Sequence, residues 1–81
     1  MFEIGSLLEL TDKNEYVVVS RAEKDGKTYY YLMDKNNFSN VQFLVEEKTG
    51  DKIFLKEIED TNVLEQVYPL LLENGKKFLK K

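Results

Sequence analysis

The dipeptide Asp25-Gly26 constrains this chain more than any other feature, because it lies between two runs of β-forming residues. Three valines at 17–19 precede it, and three tyrosines at 29–31 follow it. A two-residue type I′ turn needs positive φ at both central positions, which Gly adopts freely and Asp tolerates. The pattern therefore predicts a β-hairpin with strands at about 15–24 and 27–34.

Three further strands are predicted on either side of this hairpin. Polar clusters at 11–14 and 49–51 are typical of turns. Residues 35–40 contain three Asn and one Ser, which indicates a loop. Apolar and polar side chains alternate after that loop, as in a strand with one buried face. The remaining strands are predicted at about 6–10, 41–48 and 52–58.

The period of the apolar residues changes after Asp60, and the new spacing predicts a helix at about 61–74. Asp60 or Thr61 can cap its start, and Asn74-Gly75 is a stop signal. A basic tail, residues 76–81, follows. The apolar residues at helical spacing are Val63, Leu64, Val67, Tyr68, Leu71 and Leu72.

Pro69 lies inside this predicted helix and conflicts with it. An interior proline removes one backbone hydrogen bond and clashes with the carbonyl four residues earlier. Two outcomes follow: one kinked helix, or a short helix that ends near Val67 and a second helix that begins with Pro69 in its first turn. We favour the broken version.

The predicted fold class is α+β, in one domain that spans residues 1–81: a five-stranded antiparallel β-meander with a C-terminal helix broken near Pro69. The third strand is apolar on both faces. Tyr30 and Leu32 lie on one face, and Tyr29, Tyr31 and Met33 lie on the other. Either the sheet curls into a barrel-like roll, or its second face is an interaction surface.

Composition argues against several functions. The chain has no Cys and no His, so it lacks thiolate and imidazole, two common groups for catalysis and metal binding. Its four glycines are isolated, and its acidic residues match no calcium-binding loop. We therefore expect no enzyme activity, no cofactor and no metal. The sequence also contains no signal peptide and no apolar run long enough to span a membrane, which favours a cytoplasmic protein.

Charge is distributed unevenly along the chain. The net charge is −3, and residues 76–81 carry four lysines and no acid. Residues 1–75 therefore hold eight basic and fifteen acidic groups, a net charge of −7. An acidic body could block a nucleic-acid-binding host protein, as an inhibitor encoded by a phage or mobile element. Direct nucleic-acid binding through the tyrosines and the tail is a third, weaker hypothesis, because acidic surfaces repel phosphate.

The first hypothesis is a protein–protein interaction domain, with a second copy of the chain as one candidate partner. Its predicted partner-binding residues are Tyr29, Tyr31 and Met33 on the second face of the sheet, together with Leu44. Tyr and Met are enriched at protein interfaces. A small domain without disulfides also gains stability by forming oligomers.

Four segments in this order resemble a known kind of domain: I-G-S at 4–6, E-Y-V-V-V at 15–19, D-G-K-T-Y-Y-Y-L at 25–32 and V-x-F-x-V at 41–45. The chain is similar to small β-meander domains of low-GC Gram-positive bacteria and of their phages and mobile elements. The resemblance implies a cytoplasmic stand-alone domain of unknown role. It supplies no catalytic or ligand-binding residues.

Overall fold

A computed structural model describes residues 2–79 of the chain. Five strands precede one helix. Each strand pairs antiparallel with the next, so the order across the sheet is β1-β2-β3-β4-β5. The predicted α+β meander is confirmed. The elements are β1 Leu7–Glu9, β2 Glu15–Lys24, β3 Lys27–Asp34, β4 Asn37–Thr49, β5 Lys52–Glu57 and α1 Thr61–Leu79.

The β2–β3 hairpin forms as predicted, with Lys24 opposite Lys27. Asp25 has a φ of 53° and Gly26 a φ of 80°, so both central residues have the positive φ of a type I′ turn. This turn fixes the register of β2 against β3. Through that register it also fixes which side chains share a face.

One face of the sheet is concave and encloses a core. Its buried side chains come from β2, β3 and β4. Residues near both edges of the sheet pack against them: Leu8 and Leu10 at the β1 edge, and Leu55 on β5. Because residues from both edges meet one cluster, the sheet is curled into a half-barrel. The buried members of this concave core are Tyr16, Val18, Tyr30, Leu32 and Leu44.

The opposite face carries α1, which lies over β2 and β3. A β-bulge between Val18 and Ser20 lies next to the helix. Both Val19 and Ser20 point toward the helix, and the Cβ of an alanine at position 75 would lie 3.5 Å from each side chain. The bulge shifts the alternation by one residue. The buried members of this helix-side core are Ala22, Tyr29, Val45, Val67 and Leu71.

The predicted helix break at Pro69 is wrong, because α1 runs unbroken from Thr61 to Leu79. Pro69 is exposed, while Val67 and Leu71 are fully buried on the sheet side. The missing hydrogen bond therefore faces water, which can hydrate the freed carbonyl, and packing on the other side holds both halves in line. Asp60 caps the helix, since its carboxylate accepts the Asn62 N–H at 2.9 Å.

The predicted helix end at Asn74-Gly75 is also wrong. The Asn74 side chain donates to the Arg21 carbonyl at 2.8 Å, so it anchors the helix to β2. The helix includes the backbone of residues 76–79, part of the predicted basic tail. The rest of that tail, Lys80 and Lys81, lies outside the described residues.

Strand β4 is longer than predicted, because the expected loop at 35–40 is only a two-residue turn at 35–36. Asn side chains of this segment do not indicate a loop, because they form hydrogen bonds at a β-bulge in the pairing of β3 with β4. Asn40 donates to the Tyr16 hydroxyl at 2.9 Å and to the Asp34 carboxylate at 3.2 Å. Strand β1 loses one residue at each end of its predicted range, and β5 loses its last residue.

Candidate protein-interaction surface

A row of four apolar side chains crosses the helix side of the sheet on four neighbouring strands. Leu7 pairs with Val17, Val17 with Met33, and Met33 with Val41. Each follows or precedes a side chain of the concave side, so all four point toward the helix side. Leu7 is 54% exposed and the other three are half-buried. We call Leu7, Val17, Met33 and Val41 the apolar strip.

Three aromatic rings connect this strip to the helix. The Tyr31 and Phe43 rings stack with their centroids 4.9 Å apart, and Phe43 meets Tyr68 of α1 edge-on at 5.2 Å. Both distances lie in the favourable range for ring pairs. Tyr68 is 44% exposed, while Tyr31 and Phe43 are half-buried. We call Tyr31, Phe43 and Tyr68 the aromatic trio.

The helix contributes a second apolar ridge next to the trio. Leu64 and Leu72 lie one turn before and one turn after Tyr68, and both are half-buried. We call these three residues the helix flank. The flank and the strip meet at Phe43, so the sheet and the side of the helix form an angled apolar surface.

Two of the four predicted partner-binding residues lie on this surface, and the other two are buried elsewhere. Tyr31 and Met33 lie in the trio and the strip. Tyr29 is only 5% exposed, because the helix covers it, and Leu44 is 5% exposed in the concave core on the opposite face. Leu44 lies opposite Tyr30 and points to the concave side, away from Tyr31 and Met33, so the four residues do not form one accessible surface.

The residues that sequence reasoning missed are Leu7, Val17, Val41, Phe43 and Tyr68. Val41 and Phe43 belong to the alternating pattern of β4, which is typical of a strand with one buried face. Tyr68 was visible in the helical stripe. What the sequence did not show is that one helix covers only part of the sheet, so some residues of both patterns stay accessible.

A chain of polar groups closes one end of the concave core. The Tyr16 hydroxyl donates to the Asp12 carboxylate at 2.7 Å and accepts from Asn40, which also donates to Asp34. The Tyr16 hydroxyl, and next the Asn14 backbone N–H, hold the pKa of Asp12 below its ordinary value. Because folding lowers the pKa of Asp12, this carboxylate stabilises the fold at pH values above its ordinary pKa. The contribution is lost as the pH falls through the lowered pKa.

Tyr30 joins the N-terminal segment to the sheet at the other end of this core. Its hydroxyl donates to Glu46 at 2.7 Å and accepts the Phe2 N–H at 3.1 Å, and Arg21 donates to the Phe2 carbonyl at 3.0 Å. Burial, opposed by the Phe2 N–H and supported by Glu46, raises the pKa of Tyr30 to about 12. These hydrogen bonds hold the N-terminal segment against the concave core.

Charged side chains of both signs line the groove at the β2–β3 turn. This groove of about 710 Å³ mixes acids and lysines, among them Glu23, Lys24, Asp25, Lys27 and Lys48. Within residues 2–79, no group of three or more acidic side chains is placed to hold a metal ion. Tyr29 and Tyr30 are buried, so their rings are not available to stack on nucleic-acid bases.

No protein-family model, curated protein or solved structure matches the chain. The resemblance to β-meander domains of Gram-positive bacteria and phages therefore stays a prediction. Residues 2–79 contain one helix, α1, and it is not long and apolar enough to cross a membrane.

Proposed function

We propose that this chain is a non-enzymatic protein-interaction domain, and that its partner docks on the apolar strip and the aromatic trio. The observation that carries the proposal is the four-strand row of accessible apolar side chains beside the partly exposed Tyr68. A contiguous apolar patch of this kind on a small domain is typical of a docking site.

The chemistry of the surface supports a protein as the partner. Aromatic residues and Met are enriched at the centres of protein interfaces, and charged residues are depleted there. The strip and the trio contain one Met and three aromatic residues and no charge. The stacked rings also hold one another in place, so little side-chain entropy is lost when a partner binds.

The acidic-inhibitor hypothesis receives less support. Lysines interleave with acids in the groove at the β2–β3 turn, so that groove is not a continuous acidic face. The groove of about 140 Å³ beside the helix start also contains lysines, since Lys27 and Lys56 accompany four acids there: Glu47, Glu57, Glu59 and Asp60. We also propose a cytoplasmic location, which the absence of Cys supports.

Site-specific photo-crosslinking in bacterial cells that express the chain tests the proposed function. A benzophenone amino acid replaces Tyr68 in one variant and Phe54 in the control. Phe54 is a suitable control because it is 51% exposed on β5. We expect covalent adducts from position 68 that exceed those from position 54 and disappear when Met33→Lys is added. Equal adducts at both positions, or none, would contradict the proposal.

A further inference from the structure

We propose that the partner on this surface is a second copy of the chain, so that the protein is a two-fold symmetric dimer. This inference rests on the proposed function and names its partner. In the dimer, the helix flank of each copy lies on the apolar strip of the other. The two contacts are equivalent, as closed two-fold assembly requires.

The shape of the surface supports a second copy as the occupant. The strip and the flank form two adjoining walls, so the occupant must present an apolar ridge. The chain itself presents such a ridge: Leu64, Tyr68 and Leu72 recur every four residues along α1. Residues three or four apart on a helix form one ridge, and such ridges pack into grooves of matching side chains.

The helix is also more apolar than its own packing on the sheet requires. Val67 and Leu71 are fully buried against the sheet, with Val63 beside them. Tyr68 and Leu70 are each 44% exposed, so the apolar arc extends beyond the part that faces the sheet. A helix with one buried stripe needs an apolar arc of only about 100°. The extra width on the Tyr68 side is explained if this flank packs on another copy.

Charge at the ends of the surface is complementary between copies. On the helix side of the sheet, Glu9 lies opposite Glu15 at one end of the strip, and the Lys35 ammonium contacts Glu15. Lys76 is exposed on the helix that carries the flank. The strip and the flank carry no charge, and the exposed Lys76, one turn beyond Leu72, offers a cation to Glu9 of the other copy.

The net charge makes a directional prediction about salt. Each copy carries a net charge of −3, so two copies repel one another while their apolar surfaces attract. Salt screens this repulsion, because the Debye length falls from about 14 Å at 50 mM to about 4 Å at 500 mM salt, scaling as the inverse square root. We therefore expect salt to strengthen self-association. Binding of an acidic face to a basic partner would weaken with salt instead.

Sedimentation equilibrium of the full chain, from about 10 μM to about 1 mM at low and high sodium chloride, tests this inference. We expect a reversible monomer–dimer equilibrium whose dissociation constant falls at high salt. Tyr68→Lys on the flank and Met33→Lys on the strip should each weaken the dimer about tenfold or more, as at a central interface residue.

Phe54→Lys is the matched control, since it makes the same change of charge at a similarly exposed aromatic residue. All three variants lower the net negative charge, so electrostatic repulsion cannot explain a loss of dimer. Circular dichroism verifies that each variant folds, and Leu7→Ser is a milder strip variant if Met33→Lys unfolds.

Three results would overturn the inference: a monomer at every concentration and salt, association that weakens with salt, or equal disruption by Phe54→Lys. The first result leaves the proposed function standing if position 68 still crosslinks to a different protein in cells. Failure of the crosslinking together with a monomer would reject both.

Discussion

The two faces of the sheet are built from the same alternating strands, yet one is closed and the other is half-open. On the concave face, the curl brings both edges onto one cluster, and Tyr16, Val18, Tyr30 and Leu32 have no exposed surface. On the other face, one helix covers part of β2 and β3 and leaves the apolar strip accessible. A curled sheet can bury its inner face without help, whereas its outer face is buried only where another element lies.

This difference assigns different roles to neighbouring residues. Leu32 and Met33 are adjacent on β3, but Leu32 is in the closed core and Met33 is in the strip. The closed face therefore supplies stability, and the half-open face supplies a surface for binding. Four sets of substitutions test the two faces and the helix that covers one of them, and the largest expected effect comes first.

Leu32→Ala should destabilise the fold far more than Met33→Ala. Removing a fully buried leucine leaves a cavity and costs about 2–5 kcal/mol, a large part of the stability of a small domain. Met33→Ala removes a half-exposed side chain, so we expect a loss below about 1 kcal/mol at concentrations where the chain is monomeric. Urea denaturation of both variants measures the difference, and equal losses would show that the two faces are equally closed.

Pro69→Ala should stabilise the fold by about 1–3 kcal/mol, because it restores a backbone donor inside an unbroken helix. The position is exposed, so alanine removes no buried contact. Thermal unfolding measures the gain. If the helix were broken at this point, proline would favour the start of the second segment, and alanine would then lower the melting temperature.

Tyr30→Phe should cost about 1–2 kcal/mol at neutral pH, because it removes the bonds to Phe2 and Glu46 from the closed face. It should also change the response to alkali. The folded-state pKa of about 12 exceeds the ordinary value of 10.0, so the unfolded chain loses this proton first and the wild-type stability falls between pH 10 and 12. Denaturation at pH 8 and 11 should show a smaller fall in the variant; an identical fall would place the titrating group elsewhere.

Gly75→Ala should give the smallest effect, a gain of about 0.5–1 kcal/mol from helix propensity. Its added methyl would sit 3.5 Å from Ser20 and Val19, an ordinary packing distance. Gly75→Leu is the contrasting variant, since a branched side chain would push the helix away from β2. A loss of stability with alanine in chemical denaturation would mean that the helix lies closer to the bulge than this distance indicates.

The turns and loops show how much of the fold can be predicted from the sequence. The hairpin, the strand ranges 15–24 and 27–34 and the cap at Asp60 follow from local rules of turn geometry and capping, and they agree with the structure. The loop prediction at 35–40 failed because Asn40 is used for hydrogen bonds to residues distant in sequence. Composition does not reveal such partners.

The sequence by itself determined the turns, the periods of the strands and helix, and the absence of Cys and His. These properties depend on neighbouring residues, whose backbone preferences act over a few positions. Only the tertiary structure decided that Tyr29 and Leu44 are buried on opposite faces, and that the helix continues through Pro69. Both outcomes depend on where one helix rests on a curled sheet, because burial is a property of the packed whole and not of any single segment.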